Sequence, residues 1–206
     1  MTLSPRDAEL MFELGTLRHV ERTWRQFGGL PYANTAEHSF RTAWIAWLIA
    51  TKEGADVGKV LRLALIHDTA ETRTGDVNYL SRMYTERHDG LAIGDQFADT
   101  ALEQEAAELW AEYEARETLE SRVVKDADTI DCDLELQESR ATGPSLYPVL
   151  RPTRDAAFAK LYTATARELF ETLYASDAHA WHVAGRNRAT TGDWAAAPDE
   201  TDAAPS

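Results

Sequence analysis

Residues 60–76 read VLRLALIHDTAETRTGD, and the interpretation of the whole chain starts from this segment. It begins as an almost unbroken apolar run and then presents His67 and Asp68 in succession, with Glu71 one helical turn beyond the histidine. A helix this apolar is normally buried, and burying an imidazole beside a carboxylate is unfavourable unless both groups are compensated. A divalent cation compensates both, because the aspartate contributes negative charge and a neutral histidine contributes a nitrogen lone pair.

A His-Asp pair carries little information by itself, and the chain has a second one at His88-Asp89. This second pair lies in the polar run TERHDG (85–90), which no apolar helix precedes, so it is predicted to be a solvated loop. For His67-Asp68 considered alone, a hydrogen-bonded core pair is as good an interpretation as a metal site. The rest of the chain decides between the two.

Length and composition are those of a single globular domain. The chain has 206 residues, of which 44% are hydrophobic and 27% are charged, which suits one substantial core. Because no run of about 18 apolar residues is present, no membrane is expected as a partner. The net charge of −14 argues against a nucleic-acid polymer as partner. A small phosphorylated substrate needs only local positive charge from a metal and one or two arginines.

Cysteine content and the N-terminal sequence both predict a cytoplasmic protein. The segment MTLSPRDAELMFELG (1–15) has early charges and lacks the apolar core of a secretory signal. The single cysteine, Cys132, cannot form an intramolecular disulfide, which fits a reducing compartment. Cys132 is predicted to fill core space on a helix.

The spacing of apolar residues predicts an all-α fold. Apolar positions recur at helical spacing along most of the chain, and the sequence shows no strand-like alternation. Helix starts are predicted at Asn34, where Glu37 completes a capping box, at Asp56 and at Thr118. Residues 1–184 are expected to form one helical bundle and residues 185–206 a disordered acidic tail. The predicted helices cover about residues 4–18, 34–52, 56–75, 95–116, 118–134 and 155–174.

Two further side chains extend the predicted metal site. His38 lies in the first turn of the helix 34–52, which is apolar on most faces and is predicted to be central. Asp128 lies at the border of the inner apolar stripe of the helix 118–134. Taken alone, His38 is more typical of a packed core histidine, and Asp128 is more typical of a carboxylate paired with Lys125.

Taken together, four side chains from three helices could bind one divalent cation: His38, His67, Asp68 and Asp128. Two carboxylates balance the charge, two imidazoles supply nitrogen ligands, and open positions remain on a six-coordinate ion. A water molecule in an open position loses its proton far more readily than bulk water and becomes a nucleophile near neutral pH. Glu71 is placed to exchange protons with the water or the leaving group, and Asp76 could orient substrate hydroxyls or the water.

The segment HVERTWRQFGGLPY (19–32) is rich in arginine and aromatic residues for a connector, although its glycines and proline predict a loop. Within it, Arg22 could neutralise phosphate charge through two hydrogen bonds. A surface loop with Trp24 packed on the core is the alternative that local sequence supports equally.

Five segments carry a resemblance to a known family: LRHVERTW (17–24), AEHS (36–39), LALIHDTAETRTGD (63–76), ELWAEYEA (108–115) and VVKDAD (123–128). Their order of motifs, H…HD…D, resembles that of the HD-domain phosphohydrolases. Within that superfamily the sequence is similar to the 5′-deoxynucleotidase branch, which includes the bacterial YfbR-type enzymes and the HD-domain-containing protein 2 group. The resemblance spans most of residues 10–175.

This resemblance implies a cytoplasmic, homodimeric enzyme that hydrolyses deoxynucleoside 5′-monophosphates to deoxynucleoside and phosphate. The expected cofactor is Co²⁺ or Mn²⁺, with Mg²⁺, Fe²⁺, Ni²⁺ and Zn²⁺ as alternatives. The implied site consists of the metal ligands His38, His67, Asp68 and Asp128, the catalytic carboxylates Glu71 and Asp76, and the substrate-binding Arg22 and Trp24.

One departure from the family pattern concerns substrate selectivity. In YfbR-type enzymes a tryptophan directly follows the arginine that binds phosphate and helps to exclude a 2′-hydroxyl. In this chain Thr23 stands between Arg22 and Trp24, closer to the other group. Selectivity for deoxy- over ribonucleotides therefore stays open.

Two other functions stay open as well. A phosphohydrolase of dNTPs or of another phosphorylated metabolite would use the same metal ligands but need further cationic side chains, for which the candidates are Arg18, Arg22, Arg25, Arg41 and Arg73. A non-catalytic helical module would bind a nucleotide without turnover. The presence of Glu71 and Asp76 favours an enzyme over such a module.

Overall fold

The computed structural model describes residues 2–28, 32–143 and 145–183, and within these ranges the regular elements are all helical. The only extended pairing there is an isolated bridge between Glu21 and Asn34. The predicted all-α fold is confirmed. The predicted boundary at residue 184 and the predicted disordered tail lie outside the described residues. None of the described helices is both long and apolar enough to cross a membrane.

The described helices follow one another along the chain, with two short 3₁₀ helices between them. They are α1 (Pro5–Leu14), a 3₁₀ helix (Gly15–His19), α2 (Arg25–Gly28), α3 (Thr35–Glu53), α4 (Val57–Ile66), α5 (Glu71–Thr74), a second 3₁₀ helix (Ser81–Met83), α6 (Asp89–Phe97), α7 (Glu103–Ala115), α8 (Leu119–Thr142), α9 (Tyr147–Phe158), α10 (Ala164–Ala175) and α11 (Ala180–Val183).

The main core lies where α3, α4 and α8 meet, with α7 and α10 packed around them. Its fully buried side chains include Ile49, Leu63, Val123 and Ile130. A smaller apolar cluster joins α1, α6 and α7. The metal-site candidates on α3, after α4 and on α8 are therefore attached to the three helices that are held together most extensively.

Side-chain caps fix where these three helices begin. The Asn34 side chain accepts a hydrogen bond of 3.0 Å from the Glu37 amide, and the Glu37 carboxylate accepts one of 3.3 Å from the Asn34 amide. Asp56 accepts from the Lys59 amide at 3.0 Å, and Thr118 caps α8. The predicted helix starts are confirmed, because these side chains satisfy amides that have no partner inside the helix.

The predicted helix 56–75 is wrong as a single element. α4 ends at Ile66. The next backbone hydrogen bonds join residues three apart, as in a 3₁₀ helix, and one of them runs from the Thr69 amide to the Ile66 carbonyl at 3.2 Å. His67 and Asp68 therefore lie in a turn between α4 and α5. Gly75 ends α5 with a φ of 71°, which favours glycine and agrees with the prediction of a helix end there.

The predicted helix 95–116 is also two helices, α6 and α7. Side chains capture the backbone amides of the intervening segment 98–102. Asp7 accepts from the Ala101 amide at 2.7 Å, and Glu103 accepts from the Asp99 amide at 2.9 Å. These hydrogen bonds replace helical ones, and Asp99 adopts a left-handed φ of 60°.

The predicted helix 155–174 is likewise two helices, α9 and α10. α9 already begins at Tyr147, because a proline in the first turn is compatible with a helix. The break before α10 is held by buried Asp126, which accepts from the amides of Tyr162 at 2.9 Å and Thr163 at 2.8 Å.

α3 is central, as predicted, but part of its apolar surface is not buried. One face packs into the core, whereas Phe40, Trp44, Trp47 and Leu48 are exposed. The rings of Trp44 and Trp47 stack with centroids 5.2 Å apart, and Phe40 meets Trp44 edge to face. These four residues form an exposed apolar surface, the α3 stripe.

Candidate metal centre

The structure brings the four predicted metal ligands together. His38 Nε2 lies 3.3 Å from Asp68 Oδ2 and 3.3 Å from Asp128 Oδ1. His67 Nε2 lies 3.3 Å from His38 Nε2 and 3.3 Å from Asp68 Oδ2. The ligand atoms of His38, His67 and Asp128 all lie within 4.8 Å of one another. Side chains that are distant in sequence, from α3 and α8, thus meet those of the turn after α4.

The other ring nitrogens show which way the histidines are protonated. His38 Nδ1 lies 2.6 Å from Asp131 Oδ2, and His67 Nδ1 lies 2.7 Å from the Ala64 carbonyl oxygen. Because an ionised carboxylate and a carbonyl can only accept, each Nδ1 carries the proton. In its neutral form, each imidazole would then direct the Nε2 lone pair into the cluster, beside two carboxylate oxygens. A group of acceptors this close is repulsive unless a positive charge lies among them, and the set of two nitrogens and two oxygens fits a divalent cation.

The field at this cluster favours positive charge. Burial and Arg22 act to lower the pKa of His38, but its bonds to Asp128, Asp131 and Asp68 raise that pKa well above its ordinary value. A proton is thus attracted to the same place where a divalent cation would be.

Arg22 and Asp76 lie beside the cluster. Arg22 is 7% exposed, and its Nη1 lies 3.9 Å from Asp68 Oδ2 and 3.8 Å from Asp76 Oδ2. Its Nε is buried and finds no hydrogen-bond partner within the described parts of the chain. Asp76 is oriented by Thr23, whose amide and hydroxyl donate to Oδ2 at 2.9 and 3.1 Å. The guanidinium therefore keeps donors for an anion.

Glu71 is 3% exposed and lies in the same region. Its Oε2 accepts from the Thr35 hydroxyl at 3.1 Å, and its Oε1 lies 3.4 Å from Arg87 Nη1. Burial, with repulsion from Asp68 and Asp76, raises the pKa of Glu71 to about 8 against the opposing pull of Arg22 and Arg87. This carboxyl can therefore hold a proton near neutral pH.

A cavity of about 610 Å³ opens onto the cluster. Seven of the eight predicted site residues line it, the exception being the more deeply placed His38. The seven are Arg22, Trp24, His67, Asp68, Glu71, Asp76 and Asp128. A volume of this size accommodates a small phosphorylated metabolite.

Several residues of the site were not predicted. Asp131 follows Asp128 by three residues on α8, a spacing that places both carboxylates on neighbouring faces and that could have drawn attention to it. Arg87 comes from a segment without a clear pattern, and nothing in the sequence connects it with Glu71. Cys132 lines the cavity beside Arg22, so the prediction that it fills the core is wrong.

The two interpretations weighed for Asp128 both describe part of its environment. Its Oδ2 accepts a 2.6 Å hydrogen bond from Lys125, while its Oδ1 faces His38. The second His-Asp pair does not join the cluster, although Asp89 lines the same cavity, and the predicted loop 85–90 is wrong at its end because α6 begins at Asp89. His88 is exposed, and Asp89 begins α6 and pairs with Arg87.

The arginines considered for binding further phosphates are mostly elsewhere. Of the five, Arg22 lines the cavity at the cluster. Arg18, Arg25 and Arg41 line a second cavity, and Arg73 pairs with Glu13.

Comparison with protein families identifies the fold to which this site belongs. The model of the HD domain family matches residues 14–170. This chain is a member of the HD domain family. The predicted resemblance to this family is confirmed.

Relatives of known name agree with this membership. The chain is 31% identical over 148 residues to 5′-deoxynucleotidase HDDC2 of Bos taurus, a match that covers 67% of this chain and 71% of that protein. The chain spans about two thirds of the length of the first curated relatives it matches.

Solved structures of the same fold include two that are more than 25% identical in sequence. A conserved hypothetical protein from Pyrococcus furiosus is 28% identical, with a TM-score of 0.64, over 82% of this chain and 99% of that one. A predicted metal-dependent phosphohydrolase from Magnetospirillum magnetotacticum MS-1 is 27% identical, with a TM-score of 0.66, over 82% of this chain and 91% of that one.

Proposed function

We propose that this protein hydrolyses (deoxy)nucleoside 5′-monophosphates to nucleoside and phosphate, using a divalent cation held by His38, His67, Asp68 and Asp128. The observation that carries the proposal is the convergence of two imidazole Nε2 atoms and two carboxylates, with contacts of 3.3 Å around His38 Nε2. The substrate class comes from the activity for which the Bos taurus relative is named, together with a cavity that combines an arginine and protonatable carboxylates.

The proposed cation would activate both the phosphate and the attacking water. When bound, a divalent cation polarises a phosphate oxygen and lowers the pKa of a water molecule from about 15.7 toward about 7. Two imidazoles and two carboxylates suit a borderline ion such as Co²⁺ or Mn²⁺, with Mg²⁺, Fe²⁺, Ni²⁺ and Zn²⁺ as further candidates.

Arg22 is proposed to bind the phosphate. Its guanidinium is nearly buried, and the contacts with Asp68 and Asp76, at 3.9 and 3.8 Å, are too long to be tight hydrogen bonds. The buried Nε still needs an acceptor. Two phosphate oxygens would satisfy this planar group and hold the phosphorus in one orientation. Trp24, which lines the same cavity, is proposed to contact the nucleoside.

Glu71 and Asp76 are proposed to move protons and to orient the reactants. The raised pKa of Glu71 lets its carboxyl carry a proton and deliver it to the leaving 5′-oxygen. Asp76 is fixed by two hydrogen bonds from Thr23, so it can accept a hydrogen bond from a water or a sugar hydroxyl in a defined direction.

A triphosphate substrate has one observation in its favour. Arg82, Arg87, Arg116 and Lys125 also line the cavity. Three of these four cations are already paired with acidic groups: Arg87 with Glu71 and Asp89, Arg116 with Glu114, and Lys125 with Asp128. Their charge is thus largely compensated, which favours a single phosphate.

The proposal includes a homodimer that forms through the α3 stripe. The α3 stripe runs for about 12 Å along its helix, and two copies related by a twofold axis would bring Trp44 of one protomer against Trp47 of the other. Exposed aromatic residues that are already stacked support such a homodimer.

A cytoplasmic location is consistent with the lone Cys132, which has no cysteine partner in the sequence.

A phosphate-release assay with dAMP, AMP and dATP, in the presence of Mn²⁺ or Co²⁺, tests this proposal. We expect release of phosphate from dAMP. Cleavage of dATP alone would show that the enzyme is a triphosphate hydrolase. Tight metal binding without turnover of any nucleotide would show a non-catalytic binding module.

A further inference from the structure

Asp131 is a buried carboxylate behind His38, on the side of the ring that faces away from the cluster. It is 1% exposed, and its Oδ2 lies 2.6 Å from His38 Nδ1. The cluster itself is reached by Nε2, the opposite ring nitrogen. Asp131 therefore cannot bind the same ion as Asp68 and Asp128. It can affect the cluster only through the imidazole of His38.

The two histidines obtain their Nδ1 acceptors in different ways. His67 follows the end of α4 and uses the carbonyl of Ala64, which the helix supplies there. His38 lies in the first turn of α3, where the backbone carbonyls already accept from amides of the same helix. A carboxylate from another helix is thus the acceptor at His38, and Asp131 on α8 provides it.

Arg41 holds Asp131 in place. Its Nε donates to Asp131 Oδ1, and its Nη1 donates to both oxygens of Glu138 at 2.7 and 2.8 Å. Both oxygens of Asp131 are therefore occupied, and its rotamer is fixed between α3 and α8.

We propose that Asp131 is a positioning residue for the metal centre, which keeps the proton of His38 on Nδ1 and directs the Nε2 lone pair toward the cation. The inference rests on the metal centre proposed above and not on the identity of the substrate. Without an acceptor at Nδ1, the proton can move to Nε2, where it blocks ligation, and the ring can turn away from the ion.

Metal affinity of the full-length chain tests this role. The variants are Asp131→Asn and Asp131→Leu, and the measurement is the dissociation constant for Mn²⁺ by titration calorimetry. Asparagine can offer its oxygen to Nδ1 only by turning its amide nitrogen toward the Arg41 donor, and leucine offers no acceptor. We expect both variants to bind Mn²⁺ about 10–100-fold more weakly than the wild type.

Nuclear magnetic resonance of the His38 ring proton provides a second measurement, which a loss of stability alone would not change. With Zn²⁺ bound, the wild type should show a slowly exchanging proton on His38 Nδ1, and in Asp131→Leu that proton, which has lost its acceptor, should exchange with water too fast to be observed. A matched control is Asp126→Asn, which removes another buried carboxylate of α8 that bonds to Thr163. This variant should melt at a lower temperature and keep the Mn²⁺ affinity of the wild type.

Two results would overturn the inference, and they are distinguishable. If the wild type binds Mn²⁺ and both Asp131 variants bind it within about twofold of the wild type, the positioning role is wrong while the metal centre stands. If the wild type binds no Mn²⁺ or Zn²⁺, the metal centre and the role of Asp131 fail together. Circular dichroism identifies a variant that has not folded, and the near-isosteric Asp131→Asn then provides the result.

Discussion

Individual side chains set the charge at the proposed metal centre. Burial alone would raise the pKa of Asp68 and of Asp128, but the histidines lower that of Asp68, and Lys125 with His38 lowers that of Asp128. Both carboxylates are therefore ionised at neutral pH. Their charge attracts either a proton on the histidines or a cation, and a divalent cation that displaced such a proton would meet two carboxylates and two Nε2 lone pairs.

Glu71 is predicted to act on protons and not on the metal. In Glu71→Gln the hydrogen bond from Thr35 has an oxygen to accept it, but the side chain can no longer transfer a proton. We expect turnover of dAMP to fall by about 10²–10⁴-fold, while the Mn²⁺ content stays that of the wild type. Activity close to wild type would remove Glu71 from the proposed mechanism, and loss of the metal would make it a ligand.

Among individual residues, the sequence predicts those that follow a local pattern and misses those whose contacts depend on how separate elements pack. The order and spacing of His38, His67, Asp68 and Asp128 along the chain predict that these side chains meet, although two of them lie in a turn and not on a helix. Arg87 reaches Glu71 from the loop before α6, and such a contact depends on how separate elements pack. A local pattern contains no information about it.

At the scale of elements, the turn between α4 and α5 determines how two neighbouring residues act together. In a continuous helix, consecutive side chains diverge by about 100°. In the turn, His67 Nε2 and Asp68 Oδ2 both lie 3.3 Å from His38 Nε2. The sequence 60–74 contains no glycine or proline that would mark this helix end, so the prediction of one continuous helix missed it.

The capping box of α3 is predicted to stabilise the element that carries His38. Asn34→Ala removes the acceptor for the Glu37 amide and should lower the free energy of unfolding by about 0.5–2 kcal/mol, as measured by urea denaturation. Asn34→Asp is the matched control, because aspartate retains the acceptor and should cost less. Equal stability of the alanine variant and the wild type would contradict this view of the helix start.

The helix breaks at 98–102 and 159–163 show a further limit of sequence patterns. Each break is held by a carboxylate distant in sequence, Asp7 in the first and Asp126 in the second. The apolar spacing continues through both breaks, so it predicts longer helices than the chain forms.

At the scale of the whole molecule, the core between α3, α4 and α8 provides stability and also holds the proposed metal ligands in place. Leu63→Ala should lower the free energy of unfolding by about 2–5 kcal/mol, because Leu63 is 0% exposed and its truncation leaves a cavity. Leu65→Ala is the control on the same helix, since Leu65 is 66% exposed and should change stability by at most about 0.5 kcal/mol. Equal effects in urea denaturation would contradict the packing of α4 against the core.

The α3 stripe is predicted to join two protomers. Trp44→Glu places a charge in the proposed interface and should convert a dimer to a monomer in sedimentation velocity. Leu65→Glu changes an exposed leucine outside the stripe and should leave the dimer intact. If the wild type sediments as a monomer at micromolar concentration, the stripe does not mediate self-association.

The all-α fold and the family could be predicted from helical spacing and the H…HD…D order, since both depend on patterns along the chain. Exposure of the α3 stripe could not, because aromatic residues at helical spacing resemble a core face until the neighbouring helices are in place.

The most direct test of the metal centre is the number of Mn²⁺ ions bound per chain in the wild type and in Asp128→Ala, measured by calorimetry together with phosphate release from dAMP. Wild-type protein should bind one ion and release phosphate, whereas Asp128→Ala should bind the ion far more weakly and show no Mn²⁺-dependent turnover. An exposed carboxylate variant on α9, Asp155→Ala, should behave as the wild type. A wild type that binds no divalent ion, or an Asp128→Ala variant that binds and turns over like the wild type, would contradict the proposed metal centre.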